Sequence, residues 1–245
     1  MADVAAADAF VALPRLRGRV DYRKRGGERW GEEEWVITRG RDGLRILSAH
    51  CEMTLDGQNV VRDSILSIQP DYHPRDAFVR IMRDGILTGS GWFLFDDDCV
   101  TCESWTRDEG RVRQQMAISR PTRGFGIHAV QGDAWLAATF PYEKGPGYRH
   151  FFGRNLMHST HHLGATGPMI ATTGSGLEYV GRESVKTPAG EFDCYRLAFV
   201  GFTNAHPPYT MWVSADGEFL YVRGEVEGYM DSVFELAELN REHGA

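Results

Sequence analysis

Apolar and polar residues alternate along most of this chain, and turn-forming residues punctuate the alternation. From Arg17 onward the run GRVDYRKRGGERWGEEEWVITRGRDGLRILSAHCEMTLDGQNVVRDSILSIQP reads as strand, turn, strand, turn. Its turn chemistry sits at Gly26-Gly27, Arg41-Asp42-Gly43 and Asp56-Gly57, a spacing that suits β-hairpins. Trp35 and Ile37 share one strand face, and Leu44, Ile46 and His50 share another. Ile65 and Ile68 fall on opposite faces, so a bulge or a strand buried on both sides is expected there. Further strands are predicted at about 77–83, 86–95, 99–105 and 111–119, with turns at Asp84-Gly85, at 96–98 and at Asp108-Glu109-Gly110. No helical spacers separate them, which predicts an antiparallel meander rather than a parallel sheet.

The rhythm breaks between 121 and 173. GDAWLAATF (132–140) has the composition of a short helix with Asp133 near its start, and PYEKGPGY (141–148) is a loop. HFFGRNLMHSTHHLG (150–164) reads as a second helix stopped by Gly164, followed by a glycine-rich loop. Strands resume at 177–186, 191–200, 209–214, 219–225 and 229–236. Residues 3–13 form a predicted short helix ended by Pro14. The expected fold is mainly β with minor α. A large, curved antiparallel meander sheet, half-barrel or barrel, wraps a mid-chain helical and loop insertion at about 121–173. No linker interrupts the chain, so 1–245 is expected to be a single domain.

One hairpin carries a family resemblance. VKTPAGEFDCYRLAF (185–199), followed by TMWVSADGEFLYVRGEV (210–226), resembles the half-barrel proteins of the DUF3108-like and lipoprotein-localisation-factor-like group. Pro188 and Gly190 make the turn, and Phe192, Cys194 and Arg196 alternate with Tyr195 and Leu197. The opening hairpins fit the same group, whereas 121–173 has no counterpart in it. The resemblance implies a half-barrel that wraps an apolar helix or encloses a hydrophobic ligand.

Composition narrows the function. A net charge of −7 argues against a nucleic-acid surface, which needs clustered, unopposed Lys and Arg. No run approaches the roughly 18–20 apolar residues of a spanning helix. The first residues build no basic segment followed by an apolar one, so no secretory signal is read and a cytoplasmic location is expected. Four scattered cysteines do not make a disulfide framework. Cys99 and Cys102 lie in an acidic turn entering a strand, which suits structural thiols better than a redox pair. Asp71 and His73 could form an oriented base, but they sit in a proline-flanked turn, which favours a solvated loop. No P-loop, GxGxxG or GxSxG is present, and no cofactor is expected.

The candidate chemistry lies in 148–167, YRHFFGRNLMHSTHHLGATG, which holds four of the nine histidines. On a helix His158 and His162 would share a face, with His161 beside them and Arg154 one turn earlier. Two such imidazoles can hold zinc only with a third ligand, for which His128, His150 and Glu178 are candidates; no HExxH is present. The metal-free reading makes His158, His162 or His161 the general acid/base, Arg149 or Arg154 the anion holder and Tyr148 a hydrogen-bond donor. Phe151, Phe152, Trp135 and Trp212 would supply apolar ligand-binding walls. The bland alternative packs Phe152, Leu156 and Leu163 into the core and leaves the histidines in water.

Three functions follow as expectations. The first is a cofactor-independent lyase or isomerase acting by histidine acid/base chemistry on a small hydrophobic, oxygenated molecule of aromatic or terpenoid type. The second is a non-catalytic carrier or sensor of a hydrophobic ligand. The third is a metal-dependent hydrolase or lyase using His158 and His162. The expected partner is a small hydrophobic molecule, with no nucleic acid and no membrane; a homodimer is left open.

Overall fold

A computed structural model describes residues 13–118, 124–161, 163–203, 205–228 and 230–242. The predicted helix at 3–13 lies outside them. The first meander contains β1 (Arg15–Lys24), β2 (Arg29–Arg39), β3 (Arg45–Leu55) and β4 (Gln58–Ile68), then β5 (Pro74–Arg83), β6 (Ile86–Phe95), β7 (Cys99–Thr106) and β8 (Gly110–Ala117). After the short helix α1 (Val130–Ala134) comes the second meander. It comprises β9 (Arg149–Met157), β10 (Ala171–Thr187), β11 (Gly190–Val200), β12 (Tyr209–Ser214), β13 (Tyr221–Val226) and β14 (Ser232–Glu242).

Among the described residues all fourteen strands join one sheet in the order β8-β7-β6-β5-β4-β3-β2-β1-β14-β13-β12-β11-β10-β9. Every neighbouring pair is antiparallel, and β1 paired with β14 joins the two meanders. The sheet is not closed: β8 and β9 are its two edges. The mainly-β meander expected from the alternation is what forms. The irregularity expected near Ile65 and Ile68 is a register shift at Ser67 and Ile68 between β4 and β5.

Strand alternation sends one set of side chains to a shared interior. On β6, Gly89, Gly91, Phe93 and Phe95 point inward, while Trp92 and Leu94 are exposed. A single large apolar cluster fills that interior, with Trp35, Leu47, Phe93, Leu177, Leu197 and Met211 among its fully buried members. At about 25 cal/mol per Å² of apolar area removed from water, this burial is the main force closing the sheet around its contents. A small second cluster of Val185, Cys194, Trp212 and Val222 lies apart from that interior.

The insertion occupies the bowl. α1 continues into a 3-10 turn, Trp135–Thr139, which places Ala134, Trp135 and Ala137 in the core. Its position is set by two fully buried polar side chains. The Glu33 carboxylate accepts the Val130 N–H at 3.0 Å, the Gln131 N–H at 3.4 Å and the Tyr22 hydroxyl at 2.8 Å. The Gln131 side chain donates to the Phe219 carbonyl and accepts the Tyr221 N–H at 2.9 Å. The loop after β9 leans on β6, where an added Cβ at Gly89 would lie 2.2 Å from the Gly167 carbonyl oxygen. The Ile170 N–H bonds Gln114 of edge strand β8 at 2.7 Å.

Glu33→Ala would leave a buried hydroxyl and two amide N–H groups without their acceptor, at about 1–3 kcal/mol each. A loss of at least about 3 kcal/mol is expected in urea unfolding, with Glu33→Gln retaining part of it.

Candidate functional site

The stretch singled out by its histidines is a strand and a loop. Residues 149–157 pair with β10, and the register slips opposite Gly174 and Gly176. The expected helix at 150–164 is therefore wrong. Its i, i+4 apolar spacing was produced by a strand whose period-2 pattern is interrupted at that slip, and sheet pairing outweighed local propensity. His158 and His161 lie beyond the strand, on no shared helical face, and His162 lies outside the described residues.

The predicted site residues scatter accordingly. Arg149 is exposed and ion-paired to Glu178 at 2.6 Å. Arg154 is exposed, with Nη1 4.0 Å from the Met116 sulfur. Tyr148 and Phe151 are 37% and 58% exposed at the sheet margin. Phe152 packs half-buried against the core, Trp135 is buried in it, and the Nδ1 of His161 receives the Leu163 N–H at 3.1 Å. Trp212 belongs to the separate cluster, with Arg196 over its ring at 5.1 Å and its indole N–H donating to Glu183. Of the predicted acid/base and anion-holding residues that are described, His158 is the one in the interior. It is fully buried, with Nδ1 3.2 Å from the Gly126 carbonyl and Nε2 3.2 Å from the Gly164 carbonyl.

The bowl holds two adjoining cavities, of about 90 Å³ and about 60 Å³. Four residues line both: His128, Asp133, His206 and Tyr209. The outer cavity is walled by aromatic rings in near-parallel contact. Tyr209 stacks on Phe199 at 4.8 Å, Phe199 on Phe202 at 5.7 Å, and Phe202 on His206 at 4.0 Å. Leu136 and Leu156 face them, with Asn155, Thr173 and Ser175 at the polar margin. The inner cavity adds Tyr22, Met53, Arg62 and Phe234. Apolar walls with a few convergent polar groups are the usual make-up of a small-molecule site.

The electrostatics follow from burial around one cation. Arg62 is 2% exposed and donates through Nη1 to the Leu163 carbonyl and through Nη2 to the His128 carbonyl. His128 stands with φ at +59°, a left-handed backbone rarely adopted by non-glycine residues, and its Nδ1 lies 3.2 Å from Nδ1 of His158. Burial and the Arg62 charge push His158 down to about 3, against the pull of the Gly164 and Gly126 carbonyls. Burial, the neighbouring His158 and Arg62 push His128 well below its ordinary value. Both rings are therefore neutral at pH 7. Burial and the Glu33 charge raise the Asp133 carboxyl to about 7, against Arg62 and the Tyr209 hydroxyl. The Tyr209 hydroxyl donates to that of Tyr221 at 3.0 Å, and burial holds both far above the ordinary tyrosine range.

Asp133 is thus the cavity group poised to exchange a proton near neutrality, beside hydroxyls and neutral imidazoles that can orient a ligand. Among the described residues no group of three or more His, Cys, Asp or Glu could hold a metal ion. Asp133 entered the sequence reading only as a helix-start residue and His128 only as a spare ligand; Arg62, His206 and Tyr209 did not enter as site residues. A signal for one of them was present. Arg62 stands in phase with buried Val60, Ser64 and Leu66, as Glu33 does with Trp35 and Ile37, so both charges point inward.

No family model matches the chain, and no curated protein matches it in sequence. Among solved structures it is similar to a β-barrel-like protein of the domain of unknown function DUF1849 from Brucella abortus. That likeness has a TM-score of 0.58 at 10% identity, covering 95% of this chain and 100% of that one. A DUF1089 family protein from Pseudomonas aeruginosa aligns with a TM-score of 0.41 at 10% identity, over 93% of this chain and 95% of that one. The first likeness shows a shared barrel-like fold and nothing finer.

The folded Asp133 keeps its proton up to about pH 7, whereas the unfolded chain releases it near 3.8, so stability from this group falls as pH rises through that window. Asp133→Asn should match wild type in melting temperature below the window and exceed it above. Thermal melts of both proteins across pH check the sign.

Proposed function

We propose that the protein is an enzyme of the lyase or isomerase type, acting by proton transfer on a small, largely apolar, oxygenated molecule held in the bowl. The observation that supports it is the convergence of the Asp133 carboxyl and the Tyr209 hydroxyl on one aromatic-walled cavity. Asp133 takes a proton from a hydroxyl, or from a carbon beside a carbonyl, and returns it to the product. The Tyr209 and Tyr221 hydroxyl pair stabilises the oxyanion that develops as that proton leaves. In this reading the histidine roles change: His158 is a neutral positioning residue that holds His128 at the cavity wall.

A second reading, a carrier of a hydrophobic ligand, is favoured by the stacked aromatic wall and by the neutral state of His128 and His158. Membership of the DUF3108-like and lipoprotein-localisation-factor-like group would accord with it. In the hairpin that suggested this group, Cys194 joins the separate cluster and Leu197 the interior, the alternation of faces its motif requires.

Small phenols, aromatic alcohols and hydroxyketones, screened for turnover by mass spectrometry and for binding by calorimetry, separate the two readings. Turnover in wild type should drop about 100-fold or more in Asp133→Asn, with binding retained, and Tyr209→Phe should lower kcat more than it changes KM. Undiminished turnover in both variants would overturn the catalytic roles. Binding without turnover across the series would establish the carrier.

A further inference from the structure

Arg62 projects from the middle of β4 into the bowl and lines the inner cavity. Its guanidinium is used incompletely by the fold. Nη1 and Nη2 donate to the Leu163 and His128 carbonyls, but the buried Nε–H has no hydrogen-bond partner. Arg62 forms no ion pair with any described residue. The nearby carboxylate of Glu33 is committed to the Tyr22 hydroxyl and to the Val130 and Gln131 amides. A buried, permanently charged group with an unpartnered donor and no carboxylate partner is costly unless an anion completes it.

We infer that the inner cavity is an oxyanion pocket in which Arg62 receives a ligand carboxylate, so that the ligand class is a small aromatic acid. The head lies between Arg62 and the Tyr22 and Tyr209 side chains, which border the same space. The flat body extends into the outer cavity against the Tyr209, Phe199 and Phe202 rings. Asp133 lies at the junction of the two and in its protonated form donates to the same head. The aromatic wall alone would accept neutral molecules equally; the unpaired cation sets the charge requirement. This inference rests on the reading that the bowl takes a ligand.

Isothermal titration of the wild-type protein with cinnamate and with its neutral isostere cinnamamide tests it. The acid should bind at least about tenfold more tightly, the effect of one charge-assisted hydrogen bond in a desolvated site. Arg62→Met should erase that preference while leaving amide binding in place, and Arg62→Lys should keep part of it. Equal binding of acid and amide by wild type, or a preference that survives Arg62→Met, overturns the assignment and leaves the cavity reading standing. Failure of both probes to bind overturns the two together. Should circular dichroism show Arg62→Met unfolded, guanidinium NMR of the wild type decides. Cinnamate, and not the amide, should shift a slowly exchanging arginine Nε–H resonance, and the absence of that shift overturns the proposal.

Discussion

The interior of this protein is arranged around one buried carboxylate. Glu33 sits on the inward phase of β2, a position that alternation reserves for apolar residues such as Trp35 and Ile37. Left without partners there, an ionised carboxylate would cost several kcal/mol of desolvation. It is tolerated because the Tyr22 hydroxyl and the first amides of α1 are delivered to it. The same bonds hold the insertion inside the bowl. Since α1 carries Asp133 and follows directly on His128 and Ala129, placing α1 also places the cavity wall.

Arg62 is the second inward charge, and it works through space as well as through contact. Its two carbonyl bonds tie β4 to the chain at His128 and at Leu163, the two flanks of the cavity. Its field disfavours protonation of His128 and His158, and burial acts in the same direction. For Asp133 the two effects oppose each other, with burial and Glu33 raising the carboxyl and Arg62 lowering it, and the balance falls near 7. His128 and His158 therefore stay neutral, while the Asp133 carboxyl titrates near neutrality.

Edge management links fold and site. A sheet that does not close leaves β8 and β9 with unpaired backbone groups. Here the segment from 124 to 126 bridges Met157 on β9, and the loop ending at Ile170 reaches Gln114 on β8. The chain that covers the gap is the chain that carries His128, His158 and α1. One insertion thus supplies part of the cavity wall and covers both sheet edges, and it departs from the strand rhythm around it.

How much of this was legible depended on the range of the interactions. The strands of both meanders could be read from period-2 alternation and from turns such as Asp84-Gly85 and Asp56-Gly57, because strand faces and tight turns are local properties. The short helix near Asp133 was legible for the same reason. The 150–164 stretch was misread because its period is broken by a register slip against Gly174 and Gly176, which only pairing with β10 reveals. Arg149, Arg154 and Tyr148 were chosen for proximity in sequence, yet adjacent strand residues point to opposite faces and these three lie toward solvent. By itself the sequence determined an antiparallel meander with inward and outward faces. Only the tertiary structure decided which backbone groups meet the Glu33 and Arg62 charges across about 100 residues of chain, because burial and Coulomb interaction depend on distance in space.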